Sequence, residues 1–397
     1  MSHFRSLTRI AGLGLTAVAV SALLLAACGG GGSSTAANAV QFKSAFASGR
    51  IAGFGSVVIN GVHYDETSAK VEDEDGALQS ASDLKLGMVA EVKATDFGQA
   101  NNVTSATAQS ITTISLMRGP VESVGASSLV VLGQTVAVTS TTVFDDSLVG
   151  GLSTIKVGDT VKIFGMLETG TGMYTATRIE PVSSPTSYAL RGVVTAYDAM
   201  AKTLSIGAAK IDVSGATVPA DITVGSLVRV KLQTMQMNGM WVAISVKSGL
   251  HKPEDNEHSE VEGTITDFTS TTSFSVDGLA VDATKATFPD GTTGLVKGAH
   301  VEVEGAVVNG VLMATKVKIE TEDAQHAEGF EVDGLVSAVD TVHSTFVVRG
   351  VTVSFDMTTT FANGSAMELL VGARVEVRGA LAADGSTINA TKITFGH

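Results

Sequence analysis

Five glycines along this 397-residue chain are each followed, three and five positions later, by apolar residues: Gly87/Ala90/Val92, Gly158/Val161/Ile163, Gly225/Val228/Val230, Gly298/Val301/Val303 and Gly372/Val375/Val377. The glycines lie 71, 67, 73 and 74 residues apart, and each is embedded in the same order of strand-like patches. Such a period specifies five small β modules in tandem rather than one large enzyme.

The clearest copy runs over residues 261–320. It opens with Val261-Glu262-Gly263-Thr264-Ile265 and passes through Ser273 to Gly278, Ala280-Val281-Asp282 and Thr287-Phe288. After Gly298 it continues with Val301-Glu302-Val303-Glu304-Gly305, turns at Asn309-Gly310 and closes with Ala314 to Ile319. Apolar residues alternate with Glu, Lys and Thr, as a sheet with one buried face requires, and Asn-Gly is a tight-turn signal. The same scheme places modules at 49–111, 118–180, 190–247 and 332–395. The third is degenerate, with Pro219 near the Phe position. Acidic linkers are expected at 248–260 and 321–331.

Five strands in about 60 residues, with a loop or helical turn between the third and fourth, predict an all-β chain of five small five-stranded OB-like barrels. Closure protects edges that a small open sheet leaves unpaired. An SH3-like barrel or small sandwich also fits the pattern. Stiff linkers would give a rod, and soft ones a collapsed cluster.

The start of the chain carries Arg5 and Arg9, an apolar run from Ile10 to Leu25, then Leu25-Ala26-Ala27-Cys28. This order reads as a secretory signal over 1–27, too short for a comfortable membrane span. The four residues ending at Cys28 resemble the lipobox of bacterial lipoproteins, which implies cleavage before Cys28 and its acylation, so that the lipid bilayer is a partner. Gly29 to Ser34 begins a flexible tether over 28–48. Gly29 lacks the aspartate that in some lipoproteins signals inner-membrane retention, so placement in the outer membrane is favoured. Cys28 is the only cysteine, so the exported modules rely on packing without intramolecular disulfides. Losing residues 1–27 takes the formal charge from −14 to −16. A surface so acidic argues against nucleic acid as a partner.

Motifs for chemistry are sparse. His251, Glu254, Asp255, Glu257 and His258 are weak candidates for a divalent metal, read foremost as a solvated linker. Glu72 to Gly76 fails as a calcium loop because Val71 stands at the first ligand position, leaving an acidic hairpin tip. Glu302 and Glu304 share one polar strand face, read as solvated. No nucleophile elbow, P-loop or dinucleotide glycine pattern occurs, and no cofactor is expected. Gly53-Phe54-Gly55 reads as a strand opening with small residues. Trp241, Tyr174 and Tyr197 read as core or barrel-end packing, and Met235, Met237 and Met240 as packing in the degenerate copy.

The repeats over Gly53 to Asp65, Val261 to Ile319 and Gly334 to Ile393 resemble a bacterial domain of unknown function, number 5666, found in tandem in exported proteins and lipoproteins. The resemblance covers nearly all of 50–395. It implies architecture and export and offers no catalytic residues. The expectation is a membrane-tethered, non-enzymatic envelope protein acting as a spacer or as a multivalent binding array for polysaccharide or another envelope protein. The alternative is a metal-binding or metal-responsive periplasmic lipoprotein.

Overall fold

The five landmark glycines occupy equivalent turns. Gly87, Gly158, Gly225, Gly298 and Gly372 have φ of 81, 94, 93, 91 and 91°. Each is third in a four-residue turn closed by the next residue's amide, as when Met88 donates to the Lys85 carbonyl or Ala373 to Leu370. A type II turn needs positive φ at that position, which glycine adopts without steric cost. The glycine N–H groups then donate to Ile51, Val121, Val194, Ile265 and Val336, at 2.8 to 2.9 Å, in the opening strand of each module. The repeated glycine thus locks the fourth strand to the first.

In a computed structural model the chain is described over residues 41–100, 103–168, 172–249, 253–321 and 329–396. The first barrel contains β1 (Ala45–Phe54), β2 (Val57–Ile59), β3 (Val62–Asp65), β4 (Lys70–Asp73), β5 (Leu78–Gln79), β6 (Val89–Ala100) and β7 (Val103–Ile114). β1 is antiparallel to β2 and β6, β2 to β3, and β6 to β7, while β3 runs parallel to β7 and closes the ring.

The second barrel has β8 (Met117–Val124), β9 (Ser128–Val131), β10 (Gln134–Phe144), β11 (Thr160–Glu168) and β12 (Met173–Pro181). The third has β13 (Tyr188–Asp198), β14 (Thr203–Ile206), β15 (Ala209–Asp212), β16 (Leu227–Met237) and β17 (Met240–Ser248). The fourth has β18 (His258–Ser270), β19 (Ser273–Val276), β20 (Leu279–Asp282), β21 (His300–Val308) and β22 (Val311–Ile319). The fifth has β23 (Phe330–Asp340), β24 (Thr345–Val348), β25 (Val351–Ser354), β26 (Thr360–Ala362), β27 (Arg374–Leu381) and β28 (Ile388–Phe395).

All five close alike. The first strand pairs antiparallel with the second and fourth, and the third runs parallel to the last. This is the OB-like arrangement, and closure buries one face of the five barrel strands, as with Ile265, Val276, Val281, Val303 and Leu312 in the fourth barrel.

Between the third and fourth strands lies more than a loop. β4, the end of β10 and β26 each run parallel to the closing strand of their own barrel. Thr287 makes the equivalent bridge to Lys316 in the fourth. The third barrel has Pro219 in this region, and a proline has no N–H to give to a ladder.

The barrels pack into one compact unit rather than a rod. β1 is the reason. Its first half also pairs parallel with β18, Ala45 to Ser48 against His258 to Val261, and its end pairs parallel with β23, Gly53 and Phe54 against Glu331 and Val332. β8 and β13 join the second and third barrels. Phe144 donates its amide to Gly385 between the second and fifth.

Three expectations are corrected here. The tether expected over 28–48 gives way to strand at Ala45, and Phe42 already bridges Phe97, because the apolar Phe42 and Phe46 find buried partners. The linker expected over 248–260 ends inside β18: Ser259 and Glu260 are buried, because the parallel edge of β1 takes up their backbone groups. Met235 and Met237 are not packed but 75% and 59% exposed. They lie at the end of a hairpin whose opposite face carries the buried Trp241. Residues 322–328 of the second expected linker lie outside the described residues.

Candidate functional site

Two glycines of β1 lie where a neighbouring barrel comes close. A β-carbon on Gly49 would sit 2.8 Å from Glu262 Oε2, and one on Gly53 would sit 2.6 Å from the Glu331 carbonyl oxygen. The lack of side chains at these points lets the fourth and fifth barrels press against the first. What remains between the three is a cleft of about 370 Å³.

Its floor is the outer face of the first barrel, with Arg50 and Ala52 from β1, Val58 and Asn60 from β2 and its turn, His63 from β3 and Thr104 from β7. One wall is Glu262, Glu302 and Glu320 from the fourth barrel, and the other is Glu331 and Arg378 from the fifth. The volume falls in the range of small-ligand sites.

The cleft's charges are held by mutual contacts. The Arg50 amide donates to Glu262 Oε2 at 3.0 Å, and His300 Nε2 lies 3.4 Å from Glu262 Oε1. Glu331 lies 3.0 Å from Arg378 Nη2 and 3.8 Å from His63 Nε2. Lys318 Nζ lies 2.7 Å from Glu320 Oε1, while Glu320 Oε2 accepts no hydrogen bond within the protein although the side chain is 3% exposed.

Burial sets the protonation. It pushes Glu302 up to about 8, against the pull of Lys318 and Lys316. Glu331 is raised by burial, with Arg378 and His63 opposing. Glu260, just behind the wall, is raised by burial with His258 opposing. At neutral pH the Glu302 carboxyl therefore favours its neutral form, whose O–H is a donor, beside the guanidinium donors of Arg50 and Arg378. The alternating strand on which Glu302 lies was expected to face water; it faces another barrel instead.

The weak metal candidates are scattered among structural roles. His258 is stacked against Phe42 and lies close over Phe97, with ring centroids 5.1 and 3.9 Å away, and bonds Glu260 at 3.0 Å. Glu257 accepts from the Lys43 amide, Asp255 accepts from the Gly310 amide, and Glu254, 87% exposed, meets Lys93. Among the described residues, no three His, Cys, Asp or Glu side chains form a group able to hold a metal ion. His251 and Cys28 lie outside the described residues.

The acidic hairpin tip is also a joint. Glu74 and Asp75 bind Arg229 of the third barrel at 2.8 and 2.6 Å, and Glu74 further accepts from Ser115. Trp241 and Tyr174 are buried, as expected of packing residues.

A family model described as a domain of unknown function, DUF5666, matches residues 118–180, 191–247, 262–318 and 333–394. The chain belongs to this family. The four DUF5666 matches coincide with the second to fifth barrels. The first barrel lies outside them, yet closes by the same pairings and carries the same left-handed glycine. Its longer excursion through β4 and β5 separates it from the DUF5666 copies in sequence. Comparison with curated proteins gives no match. The DUF5666 matches identify no reacting residues, so the cleft is assigned from its chemistry alone.

Proposed function

We propose that the protein is an exported, non-enzymatic binding protein of the cell envelope, anchored through acylated Cys28 in the outer membrane, whose ligand is a hydroxyl-rich envelope polysaccharide. The observation that carries this reading is the polar cleft on the outer face of the first barrel, assembled from three barrels that are distant in sequence. Carboxylates, guanidinium groups and the amide oxygen of Asn60, whose NH2 donates to Ser48 and Glu260, supply donors and acceptors of the kind vicinal hydroxyls satisfy. Outer faces around the second and third strands are where OB-like barrels commonly hold oligosaccharides, which supports the reading by analogy of fold. Packing of the barrels into one unit favours binding over a role as a spacer.

The test has two parts. Labelled palmitate should enter the wild-type chain and not Cys28→Ser. The purified protein should bind oligosaccharides released from envelope polysaccharide by calorimetry, and Arg378→Ala and Asn60→Ala should each weaken that binding. Binding that is unaffected by both variants would place the ligand elsewhere, and failure of the Cys28 variant to lose label would remove the anchor.

A further inference from the structure

The hairpin formed by β16 and β17 turns at Asn238 and Gly239, with φ of 51 and 75°, the tight turn that two left-handed residues make. Met237 and Met240 are directly paired across that turn. Met235 lies two residues before Met237, in the irregular stretch where the register shifts between Leu232 and Gln236, and is exposed like Met237. Trp241 and Ala243, on the other face of β17, are buried.

Three of the twelve methionines in the chain thus gather at one hairpin end within six residues. Residues 233–241, Gln-Thr-Met-Gln-Met-Asn-Gly-Met-Trp, contain no carboxylate and no imidazole. Exposure of Met235 and Met237 forgoes the burial that normally accounts for methionine in a barrel. Directly paired side chains stand about 5 Å apart at their β-carbons, and methionine's three rotatable bonds let all three sulfurs converge on one point.

From this arrangement we propose that the hairpin is a binding site for a soft monovalent metal ion, copper(I) or its analogue silver(I), held by the thioethers of Met235, Met237 and Met240. Thioether sulfur selects copper(I) over zinc, calcium and magnesium, which seek imidazole, carboxylate or water oxygen. The site lies on the third barrel and is independent of the polysaccharide reading of the cleft. Thioethers hold the ion without forming disulfides, which suits a chain whose single thiol, Cys28, is assigned to lipid.

The experiment is a competition titration of copper(I), delivered as its bicinchoninate complex under argon, into the full chain in detergent. The Cys28→Ser background removes the only thiol. One equivalent should transfer. Met235→Leu and Met237→Leu, solvent-facing and near isosteric, should each weaken binding by about tenfold or more, and Met200→Leu, at a methionine 96% exposed elsewhere on the barrel, should change nothing. Methyl resonances of Met235, Met237 and Met240 should shift on adding silver(I). No transfer, or transfer unchanged in the Met235→Leu/Met237→Leu/Met240→Leu variant, overturns the proposal.

Discussion

The Tyr174 hydroxyl, on the closing strand of the second barrel, donates a 3.0 Å hydrogen bond to the carbonyl oxygen of Arg191 in the opening strand of the third. The ring is almost fully buried, and burial holds the phenol in its neutral donor form far above neutrality. Tyr174→Phe removes the donor while keeping the ring, and should lower stability by about 1 kcal/mol. Gly192→Ala should cost more, because its β-carbon would meet the Tyr174 oxygen at 2.4 Å. Urea unfolding followed by Trp241 fluorescence, in the third barrel, is the check.

Gly53 controls the seam between the first and fifth barrels. A β-carbon there would meet the Glu331 carbonyl at 2.6 Å and Val58 at 2.9 Å, both on elements unable to retreat cheaply. Gly53→Val should separate β1 from β23. Amide exchange at Glu331 and Val332 should accelerate, while exchange at Val375 and Val377 inside the fifth barrel should change little. Uniform acceleration of both sets would mean that the barrels unfold as one.

The buried ion cluster of Arg229 with Glu74 and Asp75 joins the first and third barrels. Removal of the guanidinium leaves Glu74, 7% exposed, without its cation. Arg229→Ala should therefore destabilise by about 3 kcal/mol or more. Arg229→Lys should recover only part of this, since a lysine cannot reach both acids in the same planar geometry. Calorimetric melting of the three proteins gives the comparison.

The cleft should loosen in alkali. Glu302 is raised to about 8 in the folded protein, and an unfolded glutamate titrates near about 4.3. The folded state binds the proton more tightly across this interval, so the contribution of Glu302 to stability is full below the lower value and is lost as pH rises through the upper one. Glu260 and Glu331, also raised, act in the same direction. Amide exchange in β18 and β21, corrected for intrinsic rate, should be slower at pH 6 than at pH 9. Glu302→Gln should flatten the difference; an unchanged profile would assign it to other groups.

The repeat was legible in the sequence because its signal is local and steric. Gly298 and its four counterparts occupy a left-handed turn, and the alternation of Val301, Glu302 and Val303 follows from the pleat of one strand. The cleft was not legible, because a polar strand face reads alike whether it meets water or another barrel. Nothing near Glu302 in the sequence points to Arg50 or Arg378. His258 was read as part of a solvated linker because the rings against which it packs, Phe42 and Phe97, lie more than 150 residues away. The methionines of the third barrel were read as packing because composition gives their number but not the face they occupy.

The shared strand β1 also orders the events of synthesis. It is the first strand of the described residues to emerge, yet its partners around His258 and Glu331 follow more than 200 residues later. During synthesis the first barrel can close on itself while its outer edge waits with unpaired amides, a template for any passing strand. Completion by such distant contacts is slow, and the interval is open to aggregation. The protein thus depends on its last two barrels to cover its first, and truncation from the C-terminus would release a chain in which β1 keeps β2 and β6 but loses the strands along its outer edge.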